Sequence, residues 1–424
     1  MLQTQETIIN RQGYRLHMIQ SNKFKTLHFV AKFISPLSRE HVTKRALLPF
    51  VMQQATKNYP TANAFRQKLD DLYGSTFSMD GSKKGEMHII TARMSVVNPS
   101  YLSTDEPILA EAVQFFNEAL FAPKVLDNGF DPKIIAREKQ SLGQKIESIK
   151  DNKMQLANMR LIEEMCEGEV YKTHVHGYPE DFDAITSESL YNYYEQVIKK
   201  EPLDIYVIGD LSELNVEALF DQYIERATNG PIASMQAEEK TVTKPKEIIE
   251  EESLQQGKLH FGFRTHTHYS DDDYPALHVF NAIFGGFPSS KLFINVREKN
   301  SLAYYAASRF ESHKGLLFVF SGIAPADFKK AKKIILEQLE AMRAGDFTDE
   351  QIAEAKLLIT NQYKENLDEA YGMVEMLYNQ QFSTKDSMDD FVARINAVTK
   401  SAIERVANRI ELDTTYFLTQ KGVE

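Results

Sequence analysis

The run Gly285-Gly286-Phe287-Pro288-Ser289-Ser290-Lys291-Leu292-Phe293, continuing through Val296-Arg297-Glu298-Lys299-Asn300-Ser301-Leu302-Ala303-Tyr304, decides how this chain is read. It sets a Gly-Gly turn ahead of Ser-Ser-Lys-Leu-Phe, then an Arg-Glu-Lys helix end, then Leu-Ala-Tyr entering a strand. A glycine pair alone marks only a turn; the ordered combination is far more specific. Upstream lie Phe261-Gly262-Phe263-Arg264 and Asp273-Tyr274-Pro275-Ala276-Leu277. Downstream, Gly315-Leu316-Leu317-Phe318-Val319-Phe320 is rich in β-formers and reads as a strand or hairpin arm.

Working outward, the same order of features occurs earlier in the chain. Leu72-Tyr73-Gly74 through Gly85-Glu86-Met87-His88-Ile89-Ile90 resembles Leu302-Ala303-Tyr304 through Phe320, with Leu72 and Gly85 at one common offset from Leu302 and Gly315. A long helix follows in each half. The first opens at Asp131-Pro132, a capping residue before a proline at the first helical position. The second opens at Thr348-Asp349-Glu350-Gln351, a capping box. Ile135, Ala136, Lys139 and Asp151 match Ile352, Ala353, Lys356 and Asp368 at a shared offset, and Ile135, Leu142, Ile146 and Ile149 recur at helical spacing. Each half closes on a helix and a strand: about Ser187 to Ile198 into Leu203–Asp210, and about Ser401 to Ile410 into Leu412–Leu418. Three matches in one order point to an internal duplication.

Between the copies, Asn229 to Glu252 carries Asn229-Gly230-Pro231, Lys244-Pro245-Lys246 and Glu250-Glu251-Glu252 with few large apolar residues, the composition of a surface connection. The expected organisation is a first half over 1–228, a linker over 229–252 and a second half over 253–424. A chain of 424 residues with 42% hydrophobic and 26% charged residues is globular and too long for one ordinary core. No apolar run is long enough for a membrane span. The net charge of −11 argues against nucleic acid, which demands a cationic surface. Cys166 is the only cysteine, so no internal disulfide forms. Met1-Leu2-Gln3-Thr4-Gln5-Glu6-Thr7 lacks a secretory pattern, and a cytoplasmic location is expected.

The Gly285–Tyr304 run and its flanks resemble the second-half signature of the M16 (pitrilysin/insulinase-like) metallopeptidases, and with the repeat the resemblance spans nearly the whole chain. It implies an α+β architecture, the duplicated LuxS/MPP-like metallohydrolase fold, in which each half is a sheet with helices largely on one face. In active members the first half carries His-x-x-Glu-His and a distal Glu. Two imidazoles on one helix and a carboxylate hold zinc with an open position for water, and the motif Glu is the general base.

Here Ala55-Thr56-Lys57-Asn58-Tyr59-Pro60 resembles the segment that follows that motif, and counting back puts Ala46, Leu47, Leu48, Pro49 and Phe50 on its five positions. None is a ligand, and Pro49 stands where the base would be. Arg137-Glu138-Lys139 resembles the segment that precedes the distal ligand, whose position falls on Lys145. No His-x-x-Glu-His occurs anywhere in the chain. The expectation is therefore a homologue with no metal, no cofactor and no activity alone. Two short stretches offer other metal-ligand types. They are Thr265-His266-Thr267-His268 with Asp271, Asp272 and Asp273, and His174-Val175-His176. His-x-His in a polar loop is usually solvated. Cys166 falls within a helical pattern and reads as a packing residue.

Arg297 and Tyr304, seven residues apart, match an Arg/Tyr pair that the resemblance assigns to substrate binding, reaching across the chamber toward peptide at the zinc. A guanidinium and a phenol both donate hydrogen bonds to a peptide carbonyl or its oxyanion. The alternative is an arginine paired on its own helix and a tyrosine filling a strand face. The resemblance, closest to the inactive subunit of bacterial M16B pairs, implies a heterodimer with a zinc-containing paralogue acting on peptide or unfolded polypeptide. A structural or peptide-binding scaffold without such a partner is the second reading, and a hydrolase with a rebuilt metal site the third.

Overall fold

The structure, a computed structural model, describes residues 5–103, 106–231, 240–382 and 388–421; residues 232–239 of the expected linker lie outside the described residues. Eleven strands build two mixed sheets. The first contains β1 (Gln5–Asn10), β2 (Arg15–Gln20), β3 (Thr26–Pro36), β4 (Thr76–Lys84), β5 (Met87–Val97) and β6 (Leu203–Gly209), in the order β1-β2-β6-β3-β5-β4. The second contains β7 (Lys246–Glu252), β8 (Gly257–Arg264), β9 (Ala303–Glu311), β10 (Leu316–Ile323) and β11 (Glu411–Gln420), in the order β7-β11-β8-β10-β9.

Without β1, the two orders are the same. In each sheet the closing strand enters between the first and second strands of its half, parallel to the first and antiparallel to the second, and the third and fourth form an edge hairpin. That arrangement is the structural form of the duplication read from the sequence. The closing strand β6 is buried along its whole length, which explains its near-continuous apolar sequence Leu203-Asp204-Ile205-Tyr206-Val207-Ile208.

Helix starts follow the local signals. Asp131 accepts the backbone N–H of Lys133 at 2.9 Å beneath helix Pro132–Asp151. Thr348 and Gln351 form the reciprocal capping pair at 3.0 and 3.3 Å ahead of helix Asp349–Asp368. Each half has its own apolar core. In the second, alternate residues Leu259, Phe261 and Phe263 of β8 pack with Leu277, Phe280, Ile335 and Ile403.

Two features differ from the linear reading. The last seven residues of the charged connection form β7, whose alternating half-buried and exposed residues run parallel to β11 along the sheet edge. Charge on the open side of an edge strand discourages unwanted pairing, and it hides the strand from a composition scan. The compact units are also not contiguous. One comprises Met1–Glu147, Thr173–Ser234 and Asp368–Glu375; the other comprises Ser148–Lys172, Met235–Leu367 and Met376–Glu424. Helix Lys153–Met165 thus belongs with the second sheet. Its Leu161 and Met165 pack against the sheet's Leu316, Phe318 and Tyr416. Gly262 of β8 permits the approach, since a Cβ there would sit 2.4 Å from Met165 Sδ. No helix among the described residues is long and apolar enough to cross a membrane.

Candidate functional site

Ala46, Pro49 and Phe50 lie on helix Val42–Met52, with Ala46 in the first core, Pro49 buried and Phe50 packed at the core's margin. Pro49 sits inside the helix, where it can donate no hydrogen bond to the carbonyl of Arg45. The helix closes through Gln53, whose Nε2 donates to the carbonyls of Pro49 at 2.8 Å and Met79 at 2.9 Å. Lys145 comes from the separate helix Pro132–Asp151, and its ammonium stands 5.7 Å from the centre of the Phe50 ring. A cation over an aromatic face is mutually attractive. The structure thus brings Phe50 and Lys145 together as an aromatic–cation pair. His176 lies nearby: burial, with Lys145 and His174 adding like charge, pushes its imidazole down to about 4. The ring is therefore neutral at physiological pH.

The Gly285–Tyr304 run begins at the end of one wide helical turn, Ala282–Gly286, and contains a second, Phe293–Glu298, each of the π type. In the second, the N–H of Lys299 bonds to the carbonyl of Ile294 at 2.9 Å, five residues back. Such turns cost stability and recur at functional positions. Gly285 is required by close approach: a Cβ there would lie 2.5 Å from Ser308 Oγ and 2.7 Å from Leu292 Cδ1. Arg297 is in the second turn, which packs on β9. Its guanidinium lies 4.6 Å over the Phe293 ring, its Nε is 3.8 Å from Glu298, and its side chain is 44% exposed.

Tyr304 lies one residue into β9. Ala303 pairs with Ile323 and Tyr305 with Gly322, so Tyr304 is the extra residue of a β-bulge. A bulge bends its strand and re-aims a side chain. The result here is a tyrosine 78% exposed to solvent, the most exposed large hydrophobic residue among those described. The backbone before it is turned by Ser301, at φ 50°. The family resemblance singled out both residues, but no sequence signal marks the π turn or the bulge, because each depends on how the run packs against its sheet.

The other ligand-type residues are engaged elsewhere. His266 is 3.2 Å from Glu411, and His268 Nδ1 is 3.7 Å from Asp271. Asp273 pairs with Arg405 at 2.5 Å and Arg409 at 3.0 Å. His174 rests against Tyr178 with ring centres 5.2 Å apart. Cys166 is buried at the end of helix Lys153–Met165. Among the described residues, no three His, Cys, Asp or Glu side chains are grouped to hold a metal ion.

The family described as "Peptidase M16 inactive domain" matches residues 184–359. Over 415 residues, 97% of this chain and 96% of the relative, the chain is 47% identical to the Bacillus subtilis (strain 168) protein named "Probable inactive metalloprotease YmfF". A second chain of the same organism, "Uncharacterized zinc protease YmxG", is 22% identical over 297 residues, 66% of this chain and 69% of that one. The crystal structure of a conserved protein from Enterococcus faecalis V583 superposes with a TM-score of 0.92 at 34% identity, covering 99% of both chains.

Proposed function

The chain belongs to the M16 peptidase family as an inactive homologue, and on that premise we propose that it is the non-catalytic subunit of a zinc peptidase heterodimer. In this reading a zinc-bearing paralogue supplies the metal and general base. This chain supplies chamber wall and two hydrogen-bond donors, Arg297 and Tyr304, for a peptide or unfolded polypeptide substrate.

One contrast carries the proposal. The first-half motif positions hold an apolar helix and a lysine seated over a phenylalanine. The second-half run instead keeps a half-exposed arginine in a π turn and a tyrosine thrust into solvent by a bulge. Packing alone rewards neither exposure, whereas recognition of a peptide uses both donors. The presence in one organism of a close relative named inactive and a second similar chain named a zinc protease fits a division of labour.

The test is reconstitution. This chain and the host's own M16 paralogue containing His-x-x-Glu-His are purified apart and mixed. A stable one-to-one complex that hydrolyses unfolded polypeptide faster than the paralogue alone is expected. Failure to associate at micromolar concentration, or a paralogue equally active without this chain, would refute the reading.

A further inference from the structure

Within the first unit, the start of helix Val42–Met52, the start of β5 and the end of helix Ser187–Lys200 line an open-sided cavity of about 300 Å³. His41, Arg45, His88, Tyr193, Lys200 and Glu201 are on its wall. No part of the degenerate zinc motif accounts for this group.

Its inner wall holds an unusual number of unanswered polar atoms. Arg45 is 2% exposed. Its terminal nitrogens donate to Glu201 Oε1 at 2.5 Å, to the Tyr193 hydroxyl at 3.3 Å, and to the carbonyls of Phe33 at 3.1 Å and His88 at 2.9 Å. Its Nε has no partner. His88 is 1% exposed and neither ring nitrogen has a partner. Glu201 Oε2 and His41 Nδ1 are likewise buried and unpartnered. Buried polar atoms almost always find a partner, and leaving one without costs about 1–3 kcal/mol. Several orphans beside one cavity mark it as a built polar site.

Charge decides what the cavity suits. Arg45 and Glu201 already neutralise each other at 2.5 Å; what they leave open is one donor, Arg45 Nε, and one acceptor, Glu201 Oε2, with the cationic Lys200 on the same wall. Burial, with Arg45 and His176 nearby, holds the His88 imidazole well below its ordinary range. A neutral imidazole offers one donor and one acceptor. A lone anion would face Glu201, and a lone cation would face Arg45 and Lys200. A ligand bearing both charges satisfies both sides.

We propose that this cavity binds a small zwitterion, its carboxylate toward Arg45 and Lys200 and its ammonium toward Glu201: a free α-amino acid or a dipeptide. The inference does not depend on the heterodimer reading.

Calorimetric titration of the full chain tests it, with L-alanine, L-alanyl-L-alanine, acetate and methylammonium as probes. Alanine is used because its methyl side chain adds the least steric demand. At least one zwitterion is expected to saturate one site per chain, and acetate and methylammonium to bind at least about tenfold more weakly. The preference between the amino acid and the dipeptide identifies the source. His88→Leu and Lys200→Ala should each weaken the better zwitterion by about tenfold. Lys200 is exposed, so its variant retains the fold; His88→Leu exchanges an orphaned imidazole for an apolar group and should not lower Tm. The proposal is overturned if neither zwitterion gives saturable heat, leaving a cavity that holds water only. It is also overturned if acetate binds as tightly as the zwitterions, or if Lys200→Ala leaves affinity unchanged.

Discussion

Glu169→Gln should destabilise the second unit by about 3 kcal/mol at pH 7. Glu169 follows helix Lys153–Met165, and its carboxylate accepts from Arg264 at 2.7 and 3.0 Å and lies 2.8 Å from Lys314 Nζ. Arg264 also donates to Asp413 at 2.9 Å and to the carbonyl of Met165 at 2.9 Å, tying the helix end to β8 and β11. Both cations are almost fully buried. Burial works against the Glu169 charge, but hydrogen bonds from Arg264 and Lys314 prevail and bring its carboxyl from 4.5 down to about 2. That displacement corresponds to about 3 kcal/mol, and losing one member of a buried ion group gives a cost of the same order, about 3–5 kcal/mol. Because the folded value is depressed, the stabilisation is complete above the unfolded value of 4.5 and disappears as pH falls through about 2. Urea unfolding of wild type and variant across that range measures the difference, and hydrogen exchange of helix Lys153–Met165 locates it. The gap should be widest at neutral pH and close toward pH 2. A loss below about 1 kcal/mol, or a gap that does not change with pH, would refute the argument.

Three further outcomes are expected. In the reconstituted pair, Tyr304→Phe should leave assembly and stability intact and lower turnover, by as much as about 10²–10³-fold if the hydroxyl meets a developing oxyanion; Arg297→Ala should act in the same direction. Unchanged steady-state kinetics for both would leave them as surface residues. The isolated chain, purified free of metal and then exposed to zinc, should retain no stoichiometric metal by elemental analysis and cleave no peptide. One tightly held zinc per chain would reverse the inactive assignment. The triple variant Ala46→His, Pro49→Glu, Phe50→His should still hold no zinc while Lys145 keeps a cation beside position 50; adding Lys145→Glu should raise zinc affinity, and a triple variant that binds zinc tightly would show that the lysine is no obstacle.

Much of this protein is written locally. The Gly285–Tyr304 run, the capping signals at Asp131 and Thr348 and the apolar closing strands each depend on residues close in sequence, so their order disclosed two similar α+β halves. The absence of His-x-x-Glu-His and the presence of Pro49 and Lys145 were equally plain, since a ligand set is a matter of residue identity. Other features depend on partners distant in the chain. The charged segment Lys246–Glu252 became a strand only because β11 offered it a parallel edge. Helix Lys153–Met165 lies on a sheet built from the other half of the sequence, a choice made by the Gly262 contact and the Glu169–Arg264 network. The bulge that exposes Tyr304 is a register shift against β10, and the seating of Lys145 over Phe50 joins two helices about a hundred residues apart. Periodicity and capping report what a segment prefers by itself; register, helix exchange and ion pairing are decided by which surfaces meet, and only the folded chain brings those surfaces together.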